Sequence, residues 1–399
     1  MRDGWQTTKL GQLCEIELGK TPARANSAFW DATRKTSNVW LSIADLLNAE
    51  DNIVVDSREY LSDKGASVSK IVPKGTLLVS FKLTLGRLAF AGRDLYTNEA
   101  IAALTIFNER ELSKEFLFYF LHFFDWVKAA ENDVKLKGMT LNKAKLKEMD
   151  VHFPKSIPEQ RRIVGILDEA FEGIASAKAN ADRNLQYARA IFESHLQSVF
   201  AQRGPGWVEK PLGEVCEVKD GTHYSPKYVV DGVPFVTQKN IREEGLSFEK
   251  TKFISQKDHN DFYRRSNVAC GDILISMIGA PGMACIVDDE RTFSIKNVGL
   301  VKQNRSINQQ FLLYFLKSPQ AANYVHGASK GGVQQFLGLS GLRKFPIPLP
   351  PLKEQDSLAD KIQLLRTEIQ HLESIYQQKI AALETLKRSL LHQAFSGKL

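Results

Sequence analysis

Two stretches of this chain carry an unbroken helical pattern of unusual length. From Leu352 to Ser396 there is neither proline nor glycine, and apolar residues return at Leu358, Ile362, Leu365, Ile369, Leu372, Tyr376, Ile380, Leu383, Leu386 and Leu390. Steps of three and four trace one stripe along a helix, the spacing of a coiled-coil seam. From Glu159 to Gln202 proline is again absent, and glycine occurs only at Gly165 and Gly173. The matching stripe there is Ile163, Leu167, Ala170, Ile174, Ala177, Ala181, Leu185 and Ala188, continuing through Ile191 and His195. The first stripe is often alanine where the second is bulky, which lets one backbone approach while the other helix fills the gap. The pattern therefore predicts two helices that pack on each other, each about 60–65 Å long at ~1.5 Å per residue. Core helices of ordinary domains rarely run so far.

Each helix follows a proline-bearing hinge, Phe153–Pro158 and Pro346–Pro351. Proline is tolerated in a first helical turn and not beyond it, so these hinges mark helix starts. Ahead of each hinge the pattern changes to short β-like runs between glycine and proline breakers. In the first half these are Gln12–Leu18, Ile53–Asp56, Thr76–Phe81, Leu88–Gly92 and Ile101–Phe107, followed by a helix over Lys114–Val127. In the second they are Gly213–Lys219, Pro234–Gln238, Asp272–Met277, Ala284–Val287 and Val298–Val301, with a helix over Asn308–Tyr324.

The halves repeat one another in order. Trp5–Glu15 (WQTTKLGQLCE) returns 202 residues later as Trp207–Glu217 (WVEKPLGEVCE), and Phe116–Leu121 (FLFYFL) returns 195 residues on as Phe311–Leu316 (FLLYFL). Such self-similarity means a duplicated architecture. The expected fold is α+β: two mixed α/β domains related by internal duplication, at 1–155 and 204–350, with helical spacers at 156–203 and 351–399.

At 399 residues the chain exceeds one ordinary core. Its net charge of +7 favours a polyanionic partner without deciding for one. The start, Met1–Trp5, has no apolar core, so no signal peptide is expected, and no apolar run is long and unbroken enough to span a bilayer. Cys14, Cys216, Cys270 and Cys285 form no C-x-x-C pair and fit a reducing cytoplasm. Gly19-Lys20-Thr21 ends like a phosphate-binding loop, but Cys14 stands where the motif needs its first glycine. No zinc spacing, H-E-x-x-H or G-x-S-x-G is present, and Asp288-Asp289-Glu290 reads as a solvated turn. No catalytic or metal-ligating residue is assigned.

Two loop positions occur in both halves and combine glycine, small polar groups and a cation, suited to close approach of backbone to phosphate. One follows the opening strand and offers Lys20, Thr21 and Arg24, and again Thr222, His223, Tyr224 and Lys227. The other precedes the hinge and offers Lys137, Gly138 and Thr140, and again Lys330 and Gln334. Gln238, Lys239, Asn240 and Arg242 have the chemistry of base readers, while Trp40 at the equivalent place reads as core. An ordinary solvated turn is the competing explanation for each loop.

The repeated W-x-x-x-x-L-G-x-x-C-E opening, the P-x-P-L-P-P-L-x-E-Q hinge at Pro346–Gln355 and the two long helices resemble the specificity subunit of type I restriction-modification enzymes over the full length. The first hinge departs from the pattern, being less proline-rich and one residue longer. The resemblance implies two target-recognition domains reading the halves of a bipartite, asymmetric DNA site. It implies antiparallel helices that act as a ruler, arrange the domains about a pseudo-twofold and dock two modification (methyltransferase) subunits, with restriction subunits able to join. It implies no catalysis and no cofactor in this chain, S-adenosylmethionine, ATP and Mg belonging to the partners. A protein–protein scaffold with two protein-binding domains is the alternative from another class, and an enzyme with an unrecognised site is a third.

Overall fold

The computed structural model describes residues 4–130, 134–135, 138–278, 281–328 and 336–399, by backbone alone at 134–135 and 138–140. The chain forms two compact units, one of Met1–Ala179 with Ile380–Leu399 and one of Asn180–Lys379.

In the first unit, β1 (Trp5–Lys9) pairs antiparallel with the strand before the hinge, Trp5 opposite Pro154. A helical turn, Leu10–Leu13, then leads into β2 (Cys14–Leu18). The expected strand over Gln12–Leu18 is thus shorter by two residues. The turn explains the repeated L-G pair: a Cβ on Gly11 would lie 2.7 Å from Cβ of Lys147, so only glycine lets the helix Lys143–Lys147 pack there. The main sheet runs β2, β6 (Ile101–Ile106), β3 (Leu77–Ser80), β4 (Leu88–Ala91), then Ile53–Val54. A smaller sheet sets β5 (Leu95–Thr97) parallel to Val39–Leu41. Helix α1 (Lys114–Phe123) follows, capped by the Ser113 side chain, and stops before Val127 because Asp125 caps a separate turn, Trp126–Ala129. After β7 (Asp150–Pro154) comes α2 (Ile157–Ala201), whose residues 157–179 belong to this unit. Ile163, Val164 and Leu167 share one apolar cluster with Phe116, Leu391, Ala394 and Phe395.

The second unit repeats the same plan with a four-stranded main sheet. β8 (Val208–Pro211) pairs with β14 (Pro346–Leu349), and a turn at Leu212–Val215 precedes β9 (Val218–Asp220). The main sheet runs β9, β13 (Val298–Val301), β11 (Ile273–Ser276), then Ala284–Ile286; the smaller sheet sets β10 (Val233–Val236) parallel to β12 (Ser294–Ile295). Helix α3 (Gln256–Ser266) lies beside β12, and α4 (Gln309–Leu316) and α5 (Leu352–Phe395) take the places of α1 and α2.

The hinge glutamines are the joints of both units. Gln160 is fully buried; its Oε1 accepts the Ser113 N–H at 2.8 Å, and its Nε2 donates to the Glu111 and Pro154 carbonyls, each at 2.8 Å. Gln355 does the same, accepting from Asn308 N–H at 2.9 Å and donating to the Pro350 carbonyl at 2.9 Å. Each glutamine thus fastens the start of a long helix to the capped start of the domain's aromatic helix. The hydroxyl of Tyr119 donates to Asp168, and that of Tyr314 to Gln363 at 2.5 Å, a second repeated link between the same helices.

Most of the expected apolar stripe is buried or half-buried, but Leu372 and Leu386 are 38% and 46% exposed. Glu373 and Lys387 face inward instead: Glu373 accepts from Arg189 at 3.0 Å, and the Lys387 ammonium lies 4.8 Å from the Phe171 ring. Steps of three and four allow either neighbour, and long stems cover apolar surface while their charged ends stay in water. On α2, Phe192 and Leu196 are the buried residues where Ile191 and His195 were expected, Ile191 being 55% exposed. We therefore expect Leu372→Gln and Leu386→Gln to change stability by less than about 0.5 kcal/mol. Ile369→Ala should cost about 2–5 kcal/mol in urea denaturation, because Ile369 is buried. The opposite ranking would restore the leucine ladder.

Candidate nucleic-acid interface

The loop after the opening strand is built the same way in both units. Lys20 N–H donates to the Thr97 carbonyl at 2.8 Å, and Thr222 N–H to the Ile295 carbonyl at 3.0 Å. A Cβ on Gly19 or Gly221 would lie 2.2 Å from that same carbonyl oxygen. The glycines therefore serve a close approach within the fold, between the loop and the small sheet, rather than an approach by phosphate.

Beyond the glycines the loops diverge. In the first unit Lys20 is exposed, and the Thr21 hydroxyl donates to Glu99. Arg24 binds Glu59 through both terminal nitrogens, and its guanidinium lies 4.2 Å from the Trp30 ring and 4.5 Å from the Trp40 ring. Its end-on fork and faces are occupied, so the structure gives Arg24 an internal task where a DNA contact was expected. Trp40 is core, with its ring N–H on the Lys20 carbonyl at 3.1 Å.

In the second unit Thr222 is buried and its Oγ1 accepts the Tyr224 N–H at 3.1 Å, so it shapes the turn and is not free to reach a partner. His223, Tyr224 and Lys227 are exposed. His223 bridges Asp220 (3.1 Å) and Asn297 (2.7 Å), and the Lys296 ammonium binds Ser225. Arg265, at the end of α3, reaches the same Asp220. Sequence reading missed this arginine because 45 residues separate it from its partner; the available signal was an aspartate at a strand end, which needs a cation if buried.

Of the four residues read as base readers, Gln238 and Lys239 sit in a one-turn helix, Gln238 half-buried and Lys239 exposed. Asn240 is a correction. It is 5% exposed, its Oδ1 accepts the Thr237 N–H, and its Nδ2 donates to the Ser247 carbonyl and Thr251 Oγ1. Every hydrogen-bonding group of that amide holds the fold, leaving none for a base. Arg242 is exposed and pairs with Glu249 at 3.1 Å.

The second loop position lies beside the hairpin that joins the central strands. Gly138–Thr140 forms a strand against Lys82–Leu83, and Phe336 bridges to Ile278 at the equivalent place. Leu141 N–H reaches the Phe81 carbonyl at 2.9 Å and Leu337 N–H that of Met277 at 2.8 Å. Lys137, Lys330 and Gln334 lie outside the described residues. Burial pushes the Cys14 and Cys285 thiols up to about 12 and that of Cys216 up to about 11, so these three are apolar filler and not nucleophiles. Among the described residues no cluster of His, Cys, Asp and Glu could hold a metal.

Two copies of one α/β module, each followed by a long helix and each presenting a differently furnished loop at one place, define a duplicated recognition protein. The family described as type I restriction modification DNA specificity domain matches at residues 2–182 and again at 205–382, and the chain belongs to it. The MjaIX specificity subunit of a type I restriction enzyme from Methanocaldococcus jannaschii is 21% identical over 423 residues, 99% of this chain and 93% of that protein. The Escherichia coli EcoBI specificity subunit is 26% identical over 173 residues, 43% of this chain and 36% of its own length. A solved chain described under complex assembly and conformational transition of the type I R-M system has a TM-score of 0.77 at 18% identity, covering 100% of this chain and 99% of its own. The HsdS subunit from Thermoanaerobacter tengcongensis has a TM-score of 0.56 at 18% identity, over 100% and 98% of the two chains. As a specificity subunit of a type I restriction-modification system, this chain is a DNA-binding protein with two target-recognition domains. As a member of the specificity-subunit family it is not itself the catalytic subunit.

Proposed function

We propose that each unit reads one half of an interrupted, asymmetric DNA site, that α2 and α5 pack antiparallel as a coiled coil, and that this helix pair sets the unread gap between the halves. The pair also docks two modification subunits, through which restriction subunits join; S-adenosylmethionine, ATP and Mg belong to those partners. The setting is the cytoplasm, and no helix among the described residues is long and apolar enough to cross a membrane. Lys20, Thr21, Gln238, Lys239, Arg242, His223, Tyr224 and Lys227 remain the described side chains proposed for DNA, with Lys137, Gly138, Thr140, Lys330 and Gln334 on the second loop.

One observation carries the reading. The same backbone scaffold places the same loop twice, and that loop carries Lys20-Thr21-Pro22-Ala23-Arg24 in one unit and Thr222-His223-Tyr224-Ser225-Pro226 in the other. A shared shape with different side chains suits two different half-sites. Lys178 pairs with Glu384 at 2.5 Å in the first unit and Arg189 with Glu373 in the second, which supports antiparallel helices. A protein-binding scaffold explains the helices but not the specificity-domain match.

The test is a gel shift on duplex DNA with the partner methyltransferase present. Six to ten phosphate contacts would lose roughly 10³–10⁵ in affinity between 50 and 200 mM salt. Absence of retention at low salt would count against DNA reading.

A further inference from the structure

Asp220 ends β9 with a carboxylate side chain only 6% exposed. Taking that charge out of water costs several kcal/mol unless a cation and donors meet it, and two side chains do. Arg265 Nε donates to Oδ1 at 3.1 Å and Nη2 to the same oxygen at 2.6 Å, while His223 Nε2 meets Oδ2 at 3.1 Å. The Arg265 side chain is nevertheless 52% exposed.

A guanidinium has two forked edges, one at Nε and Nη2 and one at Nη1 and Nη2. Asp220 takes the first, and the second has no partner among the described residues. The contrast with Arg24 is informative, because Glu59 consumes its terminal fork. Arg291 is also held from the side, but by Asp289 of its own turn and against Phe248, a self-contained arrangement. Of the two arginines held from the side, only Arg265 is tied to the second unit's loop, through Asp220. Tyr224, 66% exposed, lies 6.4 Å from the ring of Phe262, one turn before Arg265 on the same face of α3.

We propose that Arg265 is a specificity-determining residue of the second unit. Held sideways by buried Asp220, it presents its terminal fork to the O6 and N7 acceptors of one guanine in the major groove. This rests on the DNA-reading function above and adds the residue and the base. Two parallel N–H donors match those acceptors, and a fork already held by the fold loses little freedom on binding. Lysine keeps the charge but not the fork.

The test uses the assembled complex with its modification subunits and a duplex panel, each member changing one base pair of the complex's methylated motif. For the wild type, one G·C pair of the half-site read by the second unit should matter strongly. Arg265→Ala and Arg265→Lys should both remove about 10–100-fold discrimination at that pair, leaving the other positions as they were. Arg291→Ala should leave the whole profile unaltered. Thermal melting identifies any variant that fails to fold, and Arg265→Lys, which keeps a cation beside Asp220, then carries the test. Equal weakening on every duplex by both variants would make Arg265 a phosphate contact and overturn the proposal, as would an unaltered profile. A wild-type complex that discriminates at no position would instead defeat the DNA-reading function itself.

Discussion

Lengthening both long helices by one four-residue step, between Ala179 and Asn180 and between Lys379 and Ile380, is expected to widen the methylated motif's gap and leave its half-sites unaltered. These positions are where the chain passes between its two units. Four helical residues add ~6 Å along the axis, close to two phosphate spacings of ~3.4 Å along a strand. Four is also the number nearest a whole turn, so the apolar stripe is turned by only ~40°. Adding the step to both helices keeps their partners level if the two run antiparallel. The residues furnishing the reading loops lie far from either insertion in sequence, so the bases read should persist. The readout is the methylation motif in cells expressing the variant. An unchanged gap would remove the ruler from the account, while loss of all methylation would leave the ruler unsupported and point to subunit docking.

The second large effect concerns stability. Gln355→Ala and Gln160→Ala should each cost roughly 2–4 kcal/mol, because each leaves a buried amide N–H and a buried carbonyl without partners. In a unit of this size that corresponds to a fall of roughly 5–10 °C in the melting midpoint. Glutamate at either position keeps an acceptor for the helix cap but loses the donor and buries a charge, so it should be no better than alanine. Calorimetry of the full chain checks both. Glutamine changes that leave the midpoint within a degree would make the repeated E-Q pair a surface feature.

The parts of the fold legible in the sequence are those where one physical period runs unopposed. Helices α2 and α5 appear at the places their stripes require, because a long uninterrupted 3.6-residue repeat has no competitor. The repeated strands were legible for a different reason: each was seen twice, and coincidence at matched spacing is rare. What escaped was decided by contacts between distant residues. A four-residue turn such as Leu10–Leu13 is too short to show a period. The choice of Glu373 over Leu372 depends on Arg189 of another helix. The glycines of the loops after the opening strands suggest close approach by phosphate, but the group that approaches Gly19 and Gly221 in the structure is the protein's own carbonyl. Asn240 shows the limit of residue chemistry taken alone, since an amide suited to adenine is equally suited to capping a turn. Arg24 and Arg265 are alike in composition and charge, and only the geometry of their carboxylates separates a braced structural arginine from one with a free fork.

The most direct test of the account is methylome sequencing of cells with and without this gene. The proposed function predicts a gene-dependent motif of two short, different specified blocks separated by a fixed run of unspecified bases. A single continuous motif, or a methylation pattern indifferent to the gene, would contradict it.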